Sequence, residues 1–205
     1  MSKIGKLYFR YGTMGSAKTA LLLTTAYNFE ERGMAYKCFK PVVDTREQKN
    51  VIRSRIGIER ECSWIYPDTN LYAVIHDMLA TGNGPRWILV DEAQFLSPEQ
   101  VDQLARAVDD FGINVICYGL RTDFSLNGFP GSTRLLELAH TIEEMKTICA
   151  CGRKAICNGR KVNGEFVFEG AQVAIDTVDN VEYQSLCPQC WYREYRAFLA
   201  RHPHK

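Results

Sequence analysis

A glycine-containing turn near the N-terminus restricts the possible folds more than any other segment. The stretch "KLYFRYGTMGSAKTALLL" places a short apolar run, a turn and an Ala- and Leu-rich helical pattern in succession. From Gly12 to Thr19 the turn has the spacing G-x-x-x-x-G-K-[ST] of a phosphate-binding loop, with Ala17 at the second glycine position. Such a loop joins a strand to a helix, so that backbone N–H groups at the helix N-terminus surround phosphate groups. The segment therefore predicts a nucleotide-binding α/β fold.

A second apolar run, "RWILVDEAQF", ends in Asp91 and Glu92. In nucleotide-binding sheets such a strand normally lies beside the first one, which brings its acid close to Mg²⁺. Lys18 is then expected to meet the outer phosphates, while Thr19 and Asp91 position the metal. The candidate loop residues are Gly12, Thr13, Met14, Gly15, Ser16, Ala17, Lys18 and Thr19. The alternative is a turn that only joins strand to helix, with both acids at a solvated strand end.

Strand and helix patterns alternate as far as about Lys146. Apolar residues fall at helical spacing between Leu71 and Leu79, "INVICYG" is typical of a buried strand, and Ser97 with Gln100 forms a capping-box pattern around a first-turn proline. This alternation predicts a parallel sheet covered by helices, with ligands bound beyond the carboxyl ends of the strands. Residues 147–205 are richer in Cys and Gly, so we expect an α/β core over 1–146 and a small second module.

Composition and charge narrow the choice of partners. Twenty-five basic against 24 acidic residues leave a net charge of +1, and no basic block stands out, so neither nucleic acid nor a membrane surface is an expected partner. No apolar run approaches the ~20 residues needed to cross a bilayer, and the N-terminus shows no signal-peptide core. We therefore expect a soluble, cytoplasmic protein.

Two close cysteine pairs predict a metal site. "CAC" at Cys149 and Cys151 and "CPQC" at Cys187 and Cys190 can meet as a tetrahedral Cys₄ site for structural zinc. Cys157 is a rival ligand, and the alternatives are reduced free thiols or a redox pair at Cys187 and Cys190. The remaining cysteines are solitary and are expected to be buried as small apolar residues: Cys38, Cys62 and Cys117.

Several of these segments together resemble the zinc-containing, cellular-type (type II) thymidine kinases. They are "GTMGSAKT" from Gly12, "DTR" from Asp44, "DEAQF" from Asp91, "GLRTDF" from Gly119, and both cysteine pairs in their expected order. The resemblance extends over nearly the whole chain. It implies a RecA-like P-loop core, a zinc subdomain whose lasso loop closes over the nucleoside, and a homotetramer that dTTP inhibits by feedback.

The resemblance also implies a role for particular side chains in phosphoryl transfer from ATP to the 5′-hydroxyl of thymidine or deoxyuridine. Glu92 would be the general base, which fits the need to remove a proton from the attacking hydroxyl. Lys18 and Arg46 would neutralise charge on the transferred group. Asp44 matches the family pattern, and whether it serves the metal or Arg46 is open.

For the base, the resemblance implies an apolar pocket and a lasso tyrosine. The pocket residues would be Met14, Phe95, Leu120, Phe124 and Phe129, and the tyrosine would be Tyr183. Taken singly, each aromatic side chain is as well explained by core packing.

Two other function classes also account for part of the sequence. A nucleic-acid-dependent ATPase would use the same loop and acids, but the balanced charge and short chain leave little room for a nucleic-acid surface. A non-catalytic zinc module explains the cysteines and leaves Lys18, Thr19, Asp91 and Glu92 without a role.

Overall fold

The structure is a computed structural model that describes residues 4–42, 50–82, 84–172 and 180–202. The strands are β1 Leu7–Tyr11, β2 Tyr36–Pro41, β3 Val51–Arg53, β4 Glu59–Glu61, β5 Ser63–Ile65, β6 Trp87–Val90, β7 Asn114–Gly119, β8 Thr141–Glu144, β9 Thr147–Ile148, β10 Lys154–Ala155, β11 Cys157–Val162, β12 Glu165–Val167 and β13 Val181–Leu186. The helices are α1 Lys18–Glu31, α2 Leu71–Ala80, α3 Pro98–Phe111, α4 Pro130–Leu138 and α5 Pro188–Arg201, with a short 3₁₀ turn at Ala93–Phe95. None of these helices is long and apolar enough to span a membrane.

The central sheet has six strands in the order β5-β2-β6-β7-β1-β8, and every neighbouring pair is parallel. The predicted α/β fold with a parallel sheet is therefore confirmed. One expectation was wrong: β6, which ends at the acid pair, does not lie beside β1, because β7 runs between them. The two strands still end at the same edge of the sheet, since all three run in the same direction, and their following residues remain within reach of each other.

Strand β7 shows why this sheet is buried on both faces. Its side chains alternate, so that Val115 and Cys117 pack into one apolar cluster and Ile116 and Tyr118 into another. Helices cover both faces, which explains the continuous apolar run in the sequence. Cys38, Cys62 and Cys117 are all buried in these two clusters, as expected for small apolar side chains.

The start of α3 follows its sequence signal. Ser97 accepts a hydrogen bond from the backbone N–H of Gln100, and the Gln100 side chain accepts one from the backbone N–H of Ser97. The predicted capping box is confirmed. It fixes the entry of α3 just after the acid-bearing segment, because only two residues separate the 3₁₀ turn from the helix.

After β8 the chain forms a smaller unit around a three-stranded antiparallel sheet in the order β12-β11-β13. Its apolar cluster includes Phe168, Trp191 and Phe198, with α5 supplying the last two. The Trp191 indole N–H donates to the backbone oxygen of Phe124 at 2.9 Å, which fastens this unit to the core. The predicted division after residue 146 falls between β8 and β9 and stays a prediction.

Candidate active site

The phosphate-binding loop lies between the end of β1 and the start of α1. Its lysine, Lys18, is directed back over the loop: the ammonium group donates to the backbone oxygens of Thr13 at 2.8 Å and Gly12 at 3.3 Å. Burial lowers the pKa of Lys18, while the carboxylates of Glu92 and Asp91 act in the opposite direction. The ammonium group is therefore held over the loop by neutral backbone oxygens.

Ala17 adopts the backbone conformation that favours glycine in this motif. Its φ of 60° and ψ of 24° lie in the left-handed region, immediately before the first residue of α1. A side chain in this conformation costs roughly 1 kcal/mol. The methyl group is exposed, so it displaces no neighbouring core atom. The substitution of alanine for glycine is thus compatible with the loop at a modest cost in stability.

We expect Ala17→Gly to leave the free energy of unfolding unchanged or raise it by up to about 1 kcal/mol. Relief of the left-handed strain outweighs or balances the greater freedom of glycine in the unfolded chain. Ala105→Gly, in the middle of α3, is the matched control and should lose about 1 kcal/mol, because its backbone is helical. Urea unfolding of both variants checks this, and a loss for Ala17→Gly as large as that of the control would contradict the strain argument.

Thr19, near the start of α1, and Asp91, just after β6, meet at the edge of the sheet even though β7 lies between β1 and β6. The Thr19 hydroxyl donates to the Asp91 carboxylate at 3.1 Å. Asp91 is only 4% exposed, and burial together with the neighbouring Glu92 raises its pKa. A hydroxyl and a carboxylate oxygen are ligands that suit Mg²⁺, and a bound cation would stabilise the ionised carboxylate. These residues fit the metal that accompanies ATP.

Glu92 is held in place by backbone and side-chain contacts. Its φ of 50° is left-handed, which is unusual for a residue with a side chain. Its carboxylate accepts a hydrogen bond of 2.6 Å from the Gln94 side-chain amide, whose oxygen accepts one of 3.0 Å from the Leu120 backbone N–H. Gln94 is therefore a further site residue that sequence reasoning missed, although it lies inside the "DEAQF" motif.

The predicted pocket residues all line one cavity of about 180 Å³: Met14, Phe95, Leu120, Phe124, Phe129 and Tyr183. The rings of Phe95 and Phe129 meet edge to face, with centroids 5.6 Å apart. Polar groups at the wall include Asp123, whose carboxylate accepts from the backbone N–H groups of Ser125 and Asn127, and Gln172. An apolar slot with a few fixed polar groups is the usual form of a small-molecule site.

A second cavity, of about 390 Å³, lies over the phosphate loop. Arg53, the last residue of β3, and Arg55, in the turn between β3 and β4, contribute to its lining. The positive charge of Arg55 also lowers the pKa of Lys18, and both residues line this cavity. These arginines were not predicted from the sequence, although both lie in "IRSRIG", at the end of β3 and in the turn that follows.

Three residues line both cavities: Met14, Glu92 and Leu120. Glu92 therefore lies on a wall that the phosphate-loop cavity and the apolar cavity share. Asp44 and Arg46, and residues 173–179 of the expected lasso, lie outside the described residues. Their predicted roles stay predictions.

The four paired cysteines form a cluster. The sulfur atoms of Cys149, Cys151, Cys187 and Cys190 all lie within 4.8 Å of one another, and the Cys151 and Cys187 sulfurs are 3.5 Å apart. Cys157 is not a member of this group. The backbone N–H of Arg153 lowers the pKa of the Cys151 thiol, with smaller contributions from the other sulfurs. Four sulfur atoms at this spacing can hold one metal ion, and thiolate ligands fit zinc.

A loop for nucleotide phosphates that adjoins an apolar slot across a carboxylate is the arrangement of a P-loop kinase for small molecules. The family model described as "Thymidine kinase" matches residues 5–191. The thymidine kinase of Ruegeria pomeroyi is 47% identical over 190 residues, covering 92% of this chain and 94% of the relative. That of Legionella pneumophila strain Paris is 44% identical over 185 residues, covering 90% of this chain and 88% of the relative. That of Rhizobium etli is 43% identical over 189 residues, covering 92% of this chain and 94% of the relative. The chain belongs to the thymidine kinase family.

Proposed function

We propose that the protein transfers the γ-phosphoryl group of ATP to the 5′-hydroxyl of thymidine or deoxyuridine, giving the nucleoside monophosphate for pyrimidine deoxynucleotide salvage. The observation that carries this proposal is the position of Glu92 on the wall common to both cavities. A base at this position can reach the hydroxyl of a nucleoside in the apolar cavity while the phosphates of ATP lie on the loop. The reaction then requires the two substrates to meet at this wall.

Each side chain of the site has a separate role in the proposed phosphoryl transfer. Glu92 accepts the proton of the attacking 5′-hydroxyl, and Gln94 holds its carboxylate in the required orientation. Lys18 moves from backbone oxygens to phosphate oxygens and balances charge as the bond to the leaving group lengthens. Thr19 and Asp91 would hold Mg²⁺, which would supply positive charge to offset that of the phosphates. Arg46 is proposed as a further cation and Asp44 as its partner or a metal contact.

The experiment that tests this function compares ATP consumption with thymidine, with single-stranded DNA and with neither. Thymidine-dependent consumption with formation of dTMP supports the proposal. Consumption that depends on single-stranded DNA would indicate an ATPase, since Glu92 would then activate water. If no ATP is consumed under any of the three conditions, the kinase function is contradicted and a non-catalytic zinc module is the remaining explanation.

We also propose that the cysteine cluster holds a structural zinc ion. Cys187 is the residue before α5 and follows the end of β13, so one ion would tie this strand and helix to the turn at Cys149 and Cys151. Such a site contributes directly to folding because the unfolded chain has no preformed set of ligands. Tyr183 lies on the same strand, and the ion would therefore fix one wall of the apolar cavity.

Purified protein should contain about one zinc ion per chain, and Cys187→Ser should lose most of it. The thermal midpoint should fall by several degrees, because a metal that binds only the folded state stabilises it. Cys157→Ser is the matched control, since this buried thiol lies outside the cluster and zinc should be retained. Elemental analysis and a thermal scan are the measurements. Metal-free protein after purification under fully reducing conditions would overturn the site and favour a redox pair at Cys187 and Cys190.

The remaining properties complete the proposal. We infer a homotetramer with feedback inhibition by dTTP from the resemblance to type II thymidine kinases. A cytoplasmic location fits a protein that uses ATP and keeps its cysteines as thiols. We retain the division into a kinase core over 1–146 and a zinc subdomain over 147–205.

A further inference from the structure

Two strands of the C-terminal unit present a matched pair of polar side chains to the phosphate loop. Asn158 on β11 and Ser185 on β13 are direct cross-strand partners in the antiparallel sheet. Side chains of such partners lie next to each other on one face. Asn158 is 3% exposed and Ser185 is half-buried, so both are directed into the molecule.

This pair holds one residue of the loop by both of its backbone groups. The Asn158 side-chain oxygen accepts a hydrogen bond of 2.8 Å from the Met14 N–H, and the Ser185 hydroxyl donates to the Met14 backbone oxygen. The Ser185 oxygen also lies 3.0 Å from the Thr13 hydroxyl. The Asn158 amide donates to the Thr122 backbone oxygen at 2.9 Å, which fixes its orientation. The loop is thus restrained by a sheet that lies more than a hundred residues away in sequence.

The same face of the β11–β13 ribbon also serves the apolar cavity. Arg160 and Tyr183 form the next cross-strand pair on this face, because each lies two residues along its strand from Asn158 or Ser185. Tyr183 lines the cavity, and the Arg160 guanidinium carbon lies 3.6 Å from the ring centroid of Phe124, another lining residue. One ribbon therefore contacts both the nucleoside cavity and the phosphate loop.

We propose that Asn158 and Ser185 are positioning residues that couple the binding of nucleoside to the binding of ATP. The inference rests on the proposed function. Met14 lines the nucleoside cavity, and its backbone N–H and oxygen are the loop groups that Asn158 and Ser185 hold. A nucleoside that orders the ribbon and the Met14 side chain also fixes the loop. The binding of ATP then costs less conformational entropy of the protein. By thermodynamic linkage, ATP must then raise the affinity for the nucleoside by the same factor.

The test measures the dissociation constant of a non-hydrolysable ATP analogue with and without saturating thymidine. In the wild type, thymidine should tighten analogue binding, and the ratio of the two constants is the coupling factor. In Ser185→Ala this factor should fall close to one, and analogue binding in the presence of thymidine should weaken by up to about tenfold, as expected for one lost hydrogen bond. The affinity for thymidine alone should change by less than about twofold.

Ser125→Ala provides the matched control. This serine is also half-buried, and its hydroxyl donates to the Phe168 backbone oxygen at 3.0 Å, so it too links core and C-terminal unit but does not contact the loop. The control should keep the wild-type coupling factor, and Ser185→Thr, which retains the hydroxyl, should restore most of it. Asn158→Ala is a second variant in case Ser185→Ala folds poorly; because Asn158 also lines the nucleoside cavity, only its coupling factor is compared. The two alanine changes should be non-additive, because both release the same residue.

Several outcomes would overturn the inference: a coupling factor of one in the wild type, an unchanged factor in Ser185→Ala, or an equal loss in Ser125→Ala. A lower thermal midpoint with unchanged coupling would show a structural role only. The proposed function is tested separately by dTMP formation in the wild type. Failure there would overturn the kinase, whereas normal turnover with unchanged coupling in Ser185→Ala would overturn the positioning role alone.

Discussion

Glu92→Gln should lower kcat by roughly 10²-fold or more at saturating ATP and thymidine, with the affinity for ATP close to that of the wild type. The amide cannot accept the proton of the 5′-hydroxyl. Its oxygen can still accept the hydrogen bond from Gln94, so the shape of the site is preserved. The measurement is steady-state turnover together with equilibrium binding of an ATP analogue.

Glu143→Gln is the control for Glu92→Gln. This acid lies on β8, where its carboxylate pairs with Arg10 at 2.7 Å, and neither cavity includes it. Turnover of this control should match the wild type. A Glu92→Gln enzyme with near-wild-type kcat would rule out the role of Glu92 as the base.

The second large effect concerns the choice of nucleoside. We expect kcat/KM to be highest for thymidine, modestly lower for deoxyuridine, low for deoxycytidine and negligible for deoxyguanosine. Phe95, Leu120 and Phe124 line the cavity of about 180 Å³, and we expect their side chains to exclude the second ring of a purine. A missing methyl group in an apolar pocket is worth only about 1–3 kcal/mol, whereas a buried polar group without a partner discriminates more strongly.

A competition assay with the four nucleosides measures this selectivity. Met14→Ala should reduce the preference for thymidine over deoxyuridine, because the methionine side chain forms part of the cavity wall and is expected to contact the 5-methyl group. Deoxycytidine or deoxyguanosine used as well as thymidine would show that the cavity is not the base site, even if the protein is a kinase.

Local patterns predicted those parts of the molecule that depend on neighbouring residues. The strand, loop and helix around Lys18 follow from a motif with a known backbone geometry, and the capping box at Ser97 follows from side chains that bond within one turn. The cysteine cluster was predictable because each pair is close in sequence and four thiols suit one ion.

Most of the features that the sequence did not predict are long-range. The bond from Met14 to Asn158 joins residues 144 apart, and only the packing of the C-terminal unit against the core brings them together. The position of β7 between β6 and β1 is a matter of strand order, which apolar runs do not encode. Gln94 lies inside a recognised motif, but its hydrogen bond to Glu92 forms where the backbone of Glu92 is left-handed, and the motif does not reveal that conformation.

The buried cysteines of the core have a consequence for chemical labelling of the folded protein. Burial raises the pKa of Cys38 to about 12, and it also raises the pKa of Cys117. Because the thiolate is the reactive form, both side chains should resist alkylating reagents at neutral pH as long as the sheet remains intact. Cys151, by contrast, is exposed. Once the proposed zinc is removed, modification by a maleimide would therefore report on the C-terminal unit, and labelling of Cys38 and Cys117 would mark the moment at which the central sheet opens.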